Sequence, residues 1–147
     1  MTLTLEQKKI TDTFYLALLI WREARGASRP AKIAVAQSVL NRVHHPKWWG
    51  RDLSEVATKK WQYSSLAAPG DPQLIIWPLA SDASWQEALD VADLVLSGAG
   101  PNPAPQADSY FDTSISPPKW ATADKFVVQI DNLMFYDLDG SHPENGG

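Results

Sequence analysis

Apolar positions recur at helical spacing through most of the chain and cluster into two short β-type runs near its end. Over residues 6–25, Ile10, Phe14, Ala17, Leu18 and Trp21 share one stripe, and Leu16, Leu19 and Ile20 fill another side. The second half of this predicted helix is apolar nearly all round, the pattern of a helix inside a domain. Glu23 follows Leu19 by four residues and Ile20 by three, so it shares their face. Gly26 then predicts a left-handed stop.

A second helix is predicted over 29–43, with Ser28 as N-cap, Pro30 in the first turn, and Ile33, Ala36, Val39 or Leu40, and Val43 inward. His44-His45-Pro46 ends it. Residues 52–60 read as a short helix capped by Asp52 with Val56 buried, and 61–80 as irregular chain around the Pro69-Gly70-Asp71-Pro72 turn cluster. A fourth helix spans 83–97, with Trp85, Leu89, Ala92 and Leu96 as its stripe, a Ser84–Glu87 capping box, and Gly98 as its end. The Pro- and Gly-rich stretch from Gly98 to Gln106 is a loop. Phe126–Ile130 and Leu133–Tyr136 flank Asp131-Asn132 as a small hairpin, and 139–147 is a polar, Gly-rich tail. The fold class this predicts is α+β, mostly α, with a small C-terminal β-hairpin. The 147 residues are expected to form a single domain, its core at about 6–137.

Composition removes several function classes. With no cysteine there is no disulfide, thiol nucleophile or Cys-based zinc site. A net charge of −4 without a basic stripe argues against nucleic acid as partner. The longest apolar run, Phe14 to Trp21, is too short to cross a membrane, and the N-terminus shows no signal-peptide pattern. Adjacent His44 and His45 lack the spacing of metal ligands and read as helix-end histidines. No cofactor is expected. Seven tryptophans exceed what a core of this size needs, which leaves two or three for a binding surface.

The candidate chemistry centres on Glu23. Burial beside an apolar helix face disfavours a charged carboxyl, and the negative end of the helix dipole does so too, which favours an acid able to donate a proton. On spacing alone, Glu23 between Arg22 and Arg25 serves equally well as an ion-pair partner. Glycosidases that hydrolyse with retention or inversion use two carboxylates. Asp52, Glu55, Asp71, Asp82, Asp108 and Asp112 are all candidates for the second, and the sequence singles out none. A Ser-His-Asp triad finds no Gly-x-Ser-x-Gly elbow.

Several segments in fixed order carry a family resemblance: Glu23-Ala24-Arg25-Gly26, Ile33 to Val43 with Asn41-Arg42, Trp61-Gln62-Tyr63-Ser64, Ala107-Asp108-Ser109-Tyr110-Phe111, and Pro117-Pro118-Lys119-Trp120-Ala121. Over about 14–136 this series resembles the SleB/CwlJ-type cell wall hydrolases, which include spore-cortex-lytic enzymes and phage endolysins. The resemblance implies a lysozyme-like domain that cleaves the glycan strands of bacterial peptidoglycan as a lytic transglycosylase. It implies Glu23 as the catalytic acid, and Gln62, Tyr63, Ser64, Tyr110 and Trp120 as substrate-binding residues, with Phe111 packed beneath. Tyr63 stands where the family has Phe, and Ala27 where it usually has an acidic residue. A hydrolytic muramidase and a non-catalytic glycan-binding module are the alternatives. The expected setting is a monomeric phage or prophage endolysin, made in the cytoplasm and reaching the wall through a holin pore, without stable membrane insertion.

Overall fold

The computed structural model describes residues 2–45, 47, 49–59, 63, 66 and 70–138. Helices α1 (Leu5–Ala24), α2 (Arg29–His44), α3 (Leu53–Thr58) and α4 (Ala83–Leu96) precede strands β1 (Ser109–Asp112), β2 (Phe126–Ile130) and β3 (Leu133–Tyr136). Short 3-10 turns cover Pro72–Ile75 and Ala123–Lys125. Among the described residues, no helix is long and apolar enough to cross a membrane.

The core forms where α1 and α2 pack on each other and on α3 and α4. Residues Leu16 to Trp21 of α1 are all buried, as the all-round apolar pattern requires. The stripe does not extend back to the start of the helix. Ile10 is 64% exposed and Phe14 41%; both border a surface hollow with Leu89, where Phe14 meets the Trp85 ring edge-on at 6.3 Å. Helix α1 begins at a Thr4–Gln7 capping box that the sequence reading overlooked. Its other end also differs from expectation. Gly26 does not adopt positive φ; Arg25 caps α1 in the right-handed region and the chain turns directly into the Ser28 cap of α2.

Helix α2 is central, with Ala31, Ala34, Val35, Ala36 and Val39 at 0% exposure. It buries Lys32, which pairs with Glu87 on α4. Asp52 caps α3 through the Glu55 N–H, and Val56 points inward, both as predicted. The buried face of α4 consists of Ala88, Val91, Ala92 and Val95, about one residue round from the predicted stripe. The two alanines let neighbouring helices approach, so Trp85, Leu89 and Leu96 flank the contact. The Ser84–Glu87 box is absent: Ser84 accepts a hydrogen bond from the Trp21 indole and Glu87 pairs with Lys32. Gly98, at φ 75°, ends α4 as expected.

The predicted hairpin is present, with Asp131 in the left-handed region at φ 53°. It is joined by an unpredicted third strand in the antiparallel order β1-β3-β2, which pairs Tyr110 with Phe135 and Asp112 with Leu133. The sheet is tied to α2 from below. Asn41 Nδ2 donates to the Ala107 carbonyl at 2.8 Å, and Arg42 donates to the Asp108 carbonyl and the Ser109 hydroxyl. Replacing Asn41 by Ala removes one anchor of β1. The expected loss is about 1–2 kcal/mol, read as a melting temperature lower by roughly 2–6 °C; an unchanged melting temperature would show that the bond holds nothing.

Candidate active site

Glu23 comes one residue before the last residue of α1 and is half-buried. The apolar run before it fixes the helix in the core, so the carboxyl can sit at a wall without a long reach. Strand β1 crosses in front of it. Tyr110 is the second residue of β1, and its hydroxyl donates to Glu23 Oε1 at 2.8 Å. The other carboxyl oxygen has no partner among the described residues, which leaves it free for a ligand.

Glu23 belongs to the walls of two cavities. One, of about 330 Å³, is also lined by Arg42, Tyr63, Tyr110, Asp112 and Trp120. The other, of about 430 Å³, lies beside Ala27, Asp112, Asp131, Asn132 and Leu133. Glu23, Asp112 and Leu133 are common to both, so the two hollows meet at the carboxyl. A long ligand lying through them would pass Glu23 at its middle rather than its end.

The walls are stiff. Trp120 packs edge-on against Tyr136 at 5.5 Å and Phe111 at 6.1 Å between ring centres, which keeps one side of the indole on the cavity. Arg42, 4% exposed, lies with its guanidinium carbon 5.1 Å from the ring centres of both Trp49 and Tyr63. Asp131 accepts from the Ser28 N–H at 2.8 Å, tying the hairpin turn to the α1–α2 turn. That bond holds the Asp131 carboxyl below the usual carboxylate range. Burial raises the Tyr110 phenol well above its ordinary value, and the Glu23 charge adds to the rise, so Tyr110 stays a neutral donor.

With this geometry in view, comparison with known proteins decides the family. The family model described as Cell Wall Hydrolase matches residues 26–136. The chain belongs to the cell wall hydrolase family. The catalytic domain of the germination-specific lytic transglycosylase SleB from Bacillus anthracis is similar in structure, with a TM-score of 0.63, 22% identity, and coverage of 85% of this chain and 93% of that one. The catalytic domain of the Bacillus cereus SleB protein gives a TM-score of 0.60 at 23% identity, covering 86% of this chain and 90% of that one. At these identities the likeness establishes a shared α+β fold. No curated protein matches the sequence.

In this cell wall hydrolase, Glu23, Tyr63, Tyr110 and Trp120 come together at one cavity from distant parts of the chain. Glu23 itself stands three residues ahead of the segment matched by the family model. Gln62 and Ser64 lie outside the described residues. Phe111 packs in a cluster with Tyr136 and Leu138, as expected, but it also lines the Glu23 cavity instead of lying wholly beneath it. His44 and His45 are exposed at the end of α2.

Of the six candidate second carboxylates, Asp52, Asp71 and Asp82 cap or close turns. Asp108 is buried and accepts from the Leu138 N–H and the Ser109 hydroxyl. Only Asp112 of the six borders the Glu23 cavities, because it sits two residues after Tyr110 on the same strand face. Asp131, Asn132 and Leu133 are further wall residues, not expected from the sequence. Their only sequence signal was the hairpin turn itself, which does not say what the turn faces.

Tyr110→Phe keeps the ring and removes the bond to Oε1. The expected outcome is a rate of wall lysis lower by about tenfold with retained binding to purified sacculi. Wild-type turnover in that variant would show that the bond does not orient the acid.

Proposed function

We propose that this cell wall hydrolase cleaves the MurNAc–GlcNAc glycan strands of peptidoglycan as a lytic transglycosylase, with Glu23 as its single acid and base. The observation that carries the reading is the half-buried Glu23 carboxyl, held at one oxygen by Tyr110 and open at the other, where two cavities meet. A strand threaded through both cavities presents an internal glycosidic bond to the free oxygen. Trp120 and Tyr110 offer rings to the sugars on one side, in a wall that also includes the buried Tyr63, and the Asp131-Asn132 turn offers polar groups on the other.

In the proposed reaction, Glu23 gives its proton to the bridging oxygen as the bond from MurNAc C1 to that oxygen breaks. The C6 hydroxyl of the same MurNAc attacks C1 and closes a 1,6-anhydro ring. Its proton passes to the Glu23 carboxylate, which restores the acid. No water is consumed and no second carboxylate is required. Ala27 fits this scheme, because the second cavity wall carries a methyl group where the family usually has an acid.

The printed name of the Bacillus anthracis neighbour, a lytic transglycosylase, supports the same outcome. A muramidase reading has one observation in its favour, the Asp112 carboxylate on both cavity walls.

Glu23→Gln is expected to lower the lysis rate by 10²-fold or more, on the order expected for loss of a general acid, while sacculus binding persists. Lysis at the wild-type rate would remove Glu23 from the mechanism. Mass spectrometry of the released muropeptides should show ends one water lighter than reducing ends. Reducing ends alone would replace transglycosylation by hydrolysis, and Asp112→Asn would then be the variant that loses activity.

A further inference from the structure

Asp108 is only 4% exposed, yet half of its carboxyl group is unused. Its backbone is committed: the amide donates to the Tyr136 carbonyl, and the carbonyl accepts from Arg42. Oδ1 accepts from the Leu138 N–H and the Ser109 hydroxyl. Oδ2 has no partner among the described residues, and it is not sealed in the core as the Tyr63 hydroxyl is. This oxygen is the uncommitted polar atom that Asp108 brings to the wall of a cavity of about 260 Å³, which it shares with Asn41, His45, Trp49, Gln106 and Asp137. A carboxylate oxygen withdrawn this far from water is costly without a donor.

The rest of the wall also accepts. Asn41 uses an amide hydrogen on the Ala107 carbonyl, which leaves its amide oxygen over. Asp137 adds a second carboxylate from the chain after β3, and His45 stands exposed at the rim. Among the described residues, no lysine or arginine lines this cavity. Such a wall suits a cation that donates hydrogen bonds. A bare metal ion fits poorly, because among the described residues no group of three or more His, Asp or Glu is placed to hold one. A primary ammonium fits, with three donors and no acceptor.

The cavity adjoins the one at Glu23. Asp108 lines the first and Ser109, the next residue, lines the second. Trp49 of the first wall has its ring centre 5.1 Å from the guanidinium carbon of Arg42, which lines the second. Peptidoglycan carries an ammonium that can span this layer. Its MurNAc sugars bear short peptides containing a diamino acid, whose side-chain amine stays free until it is used in a cross-link. Three extended residues reach about 10 Å.

We propose that the Asp108 cavity binds the free ammonium of the diamino acid in the wall peptide, with Asp108 Oδ2, Asp137 and the Asn41 oxygen as acceptors, and so favours strands whose peptides are not cross-linked. The proposal rests on the reading that peptidoglycan strands bind at Glu23. It adds a site for the peptide to the site for the sugars.

The test uses the full chain and soluble glycan strands with uncross-linked peptides, either untreated or with their amines acetylated. Acetylation turns each ammonium into a neutral amide. In the wild type it is expected to raise KM about tenfold, on the order of one hydrogen bond to a charged group. Asp108→Asn keeps the Oδ1 acceptor for Leu138 and Ser109 and replaces only Oδ2, by an amide donor. That variant is expected to show the higher KM on both preparations, so that acetylation no longer matters. An acetylation effect that survives undiminished in Asp108→Asn overturns the proposal. Should this variant fail to fold, Asp137→Asn completes the same comparison. In the wild type, n-butylammonium chloride is expected to raise KM for untreated strands more than sodium chloride at equal ionic strength; equal effects overturn the proposal. If the wild type cleaves both preparations with one KM, the peptidoglycan reading stands and only the ammonium site falls. If it cleaves neither, that reading falls and the ammonium site with it.

Discussion

The structure depends on one buried cation. Arg42, near the end of α2, has its guanidinium between the rings of Trp49 and Tyr63 and bonded to the chain just before and at the start of β1. Burying a guanidinium is costly unless its donors are used and its charge lies on favourable partners. Here carbonyl and hydroxyl acceptors and two aromatic faces meet that need. The same contacts fix three things the site requires: the start of β1, the ring of Tyr63, and the fold of the chain through Trp49, whose indole donates to the Arg42 carbonyl at 2.9 Å. Lysine would not serve, because a compact ammonium lacks the planar fork that engages both acceptors and both rings.

From that joint the geometry of the acid follows. The start of β1 sets where Tyr110 lies, and Tyr110 sets the orientation of Glu23 Oε1. Glu23 is held from the other direction by α1, whose Leu16–Trp21 segment is locked among the other helices. The acid therefore stands between a helix and a strand that are anchored independently. Preorganisation of this kind leaves little side-chain freedom to lose when a ligand arrives. Asp112 is carried into the site by the same strand, so any role it has is set by the register that places Tyr110 opposite Phe135.

Much of this was legible in the chain, and the failures have a common cause. Helix positions, the Ser28 and Asp52 caps, the Gly98 stop and the hairpin are local properties, and local chemistry determines them. The predicted α4 stripe was off by about one residue because periodicity weights large side chains, whereas the closest helix contact is made by Ala88 and Ala92. Ser84 fitted a capping motif but was taken by Trp21, a partner 63 residues away in the chain. Strand β1 was invisible as a strand because four residues are too few to show alternation and it exists only through β3. Glu23, Tyr63, Tyr110 and Trp120 were each named from motifs, yet their convergence on one cavity is a tertiary fact. The Asp131-Asn132 turn shows the limit: its chemistry was readable as a turn, but only packing against Ser28 makes it a wall of the site.

Where local rules are broken, function is the usual reason. Among the described residues, the buried side-chain atoms without a hydrogen-bond partner are Arg25 Nη1 and the Tyr63 hydroxyl. One belongs to a residue two positions from Glu23 in the chain, and the other borders its cavity. Arg25 is not idle: it stacks on Trp21 at 4.1 Å and reaches the Gln73 amide oxygen at 3.5 Å, holding the chain before the exposed Ile75–Leu79 segment against α1. A chain selected for stability alone would fill both vacancies, Tyr63 most simply by losing one oxygen atom. The Tyr63 hydroxyl lies in the wall of the Glu23 cavity, while the rest of the core is closed with alanine, valine and leucine.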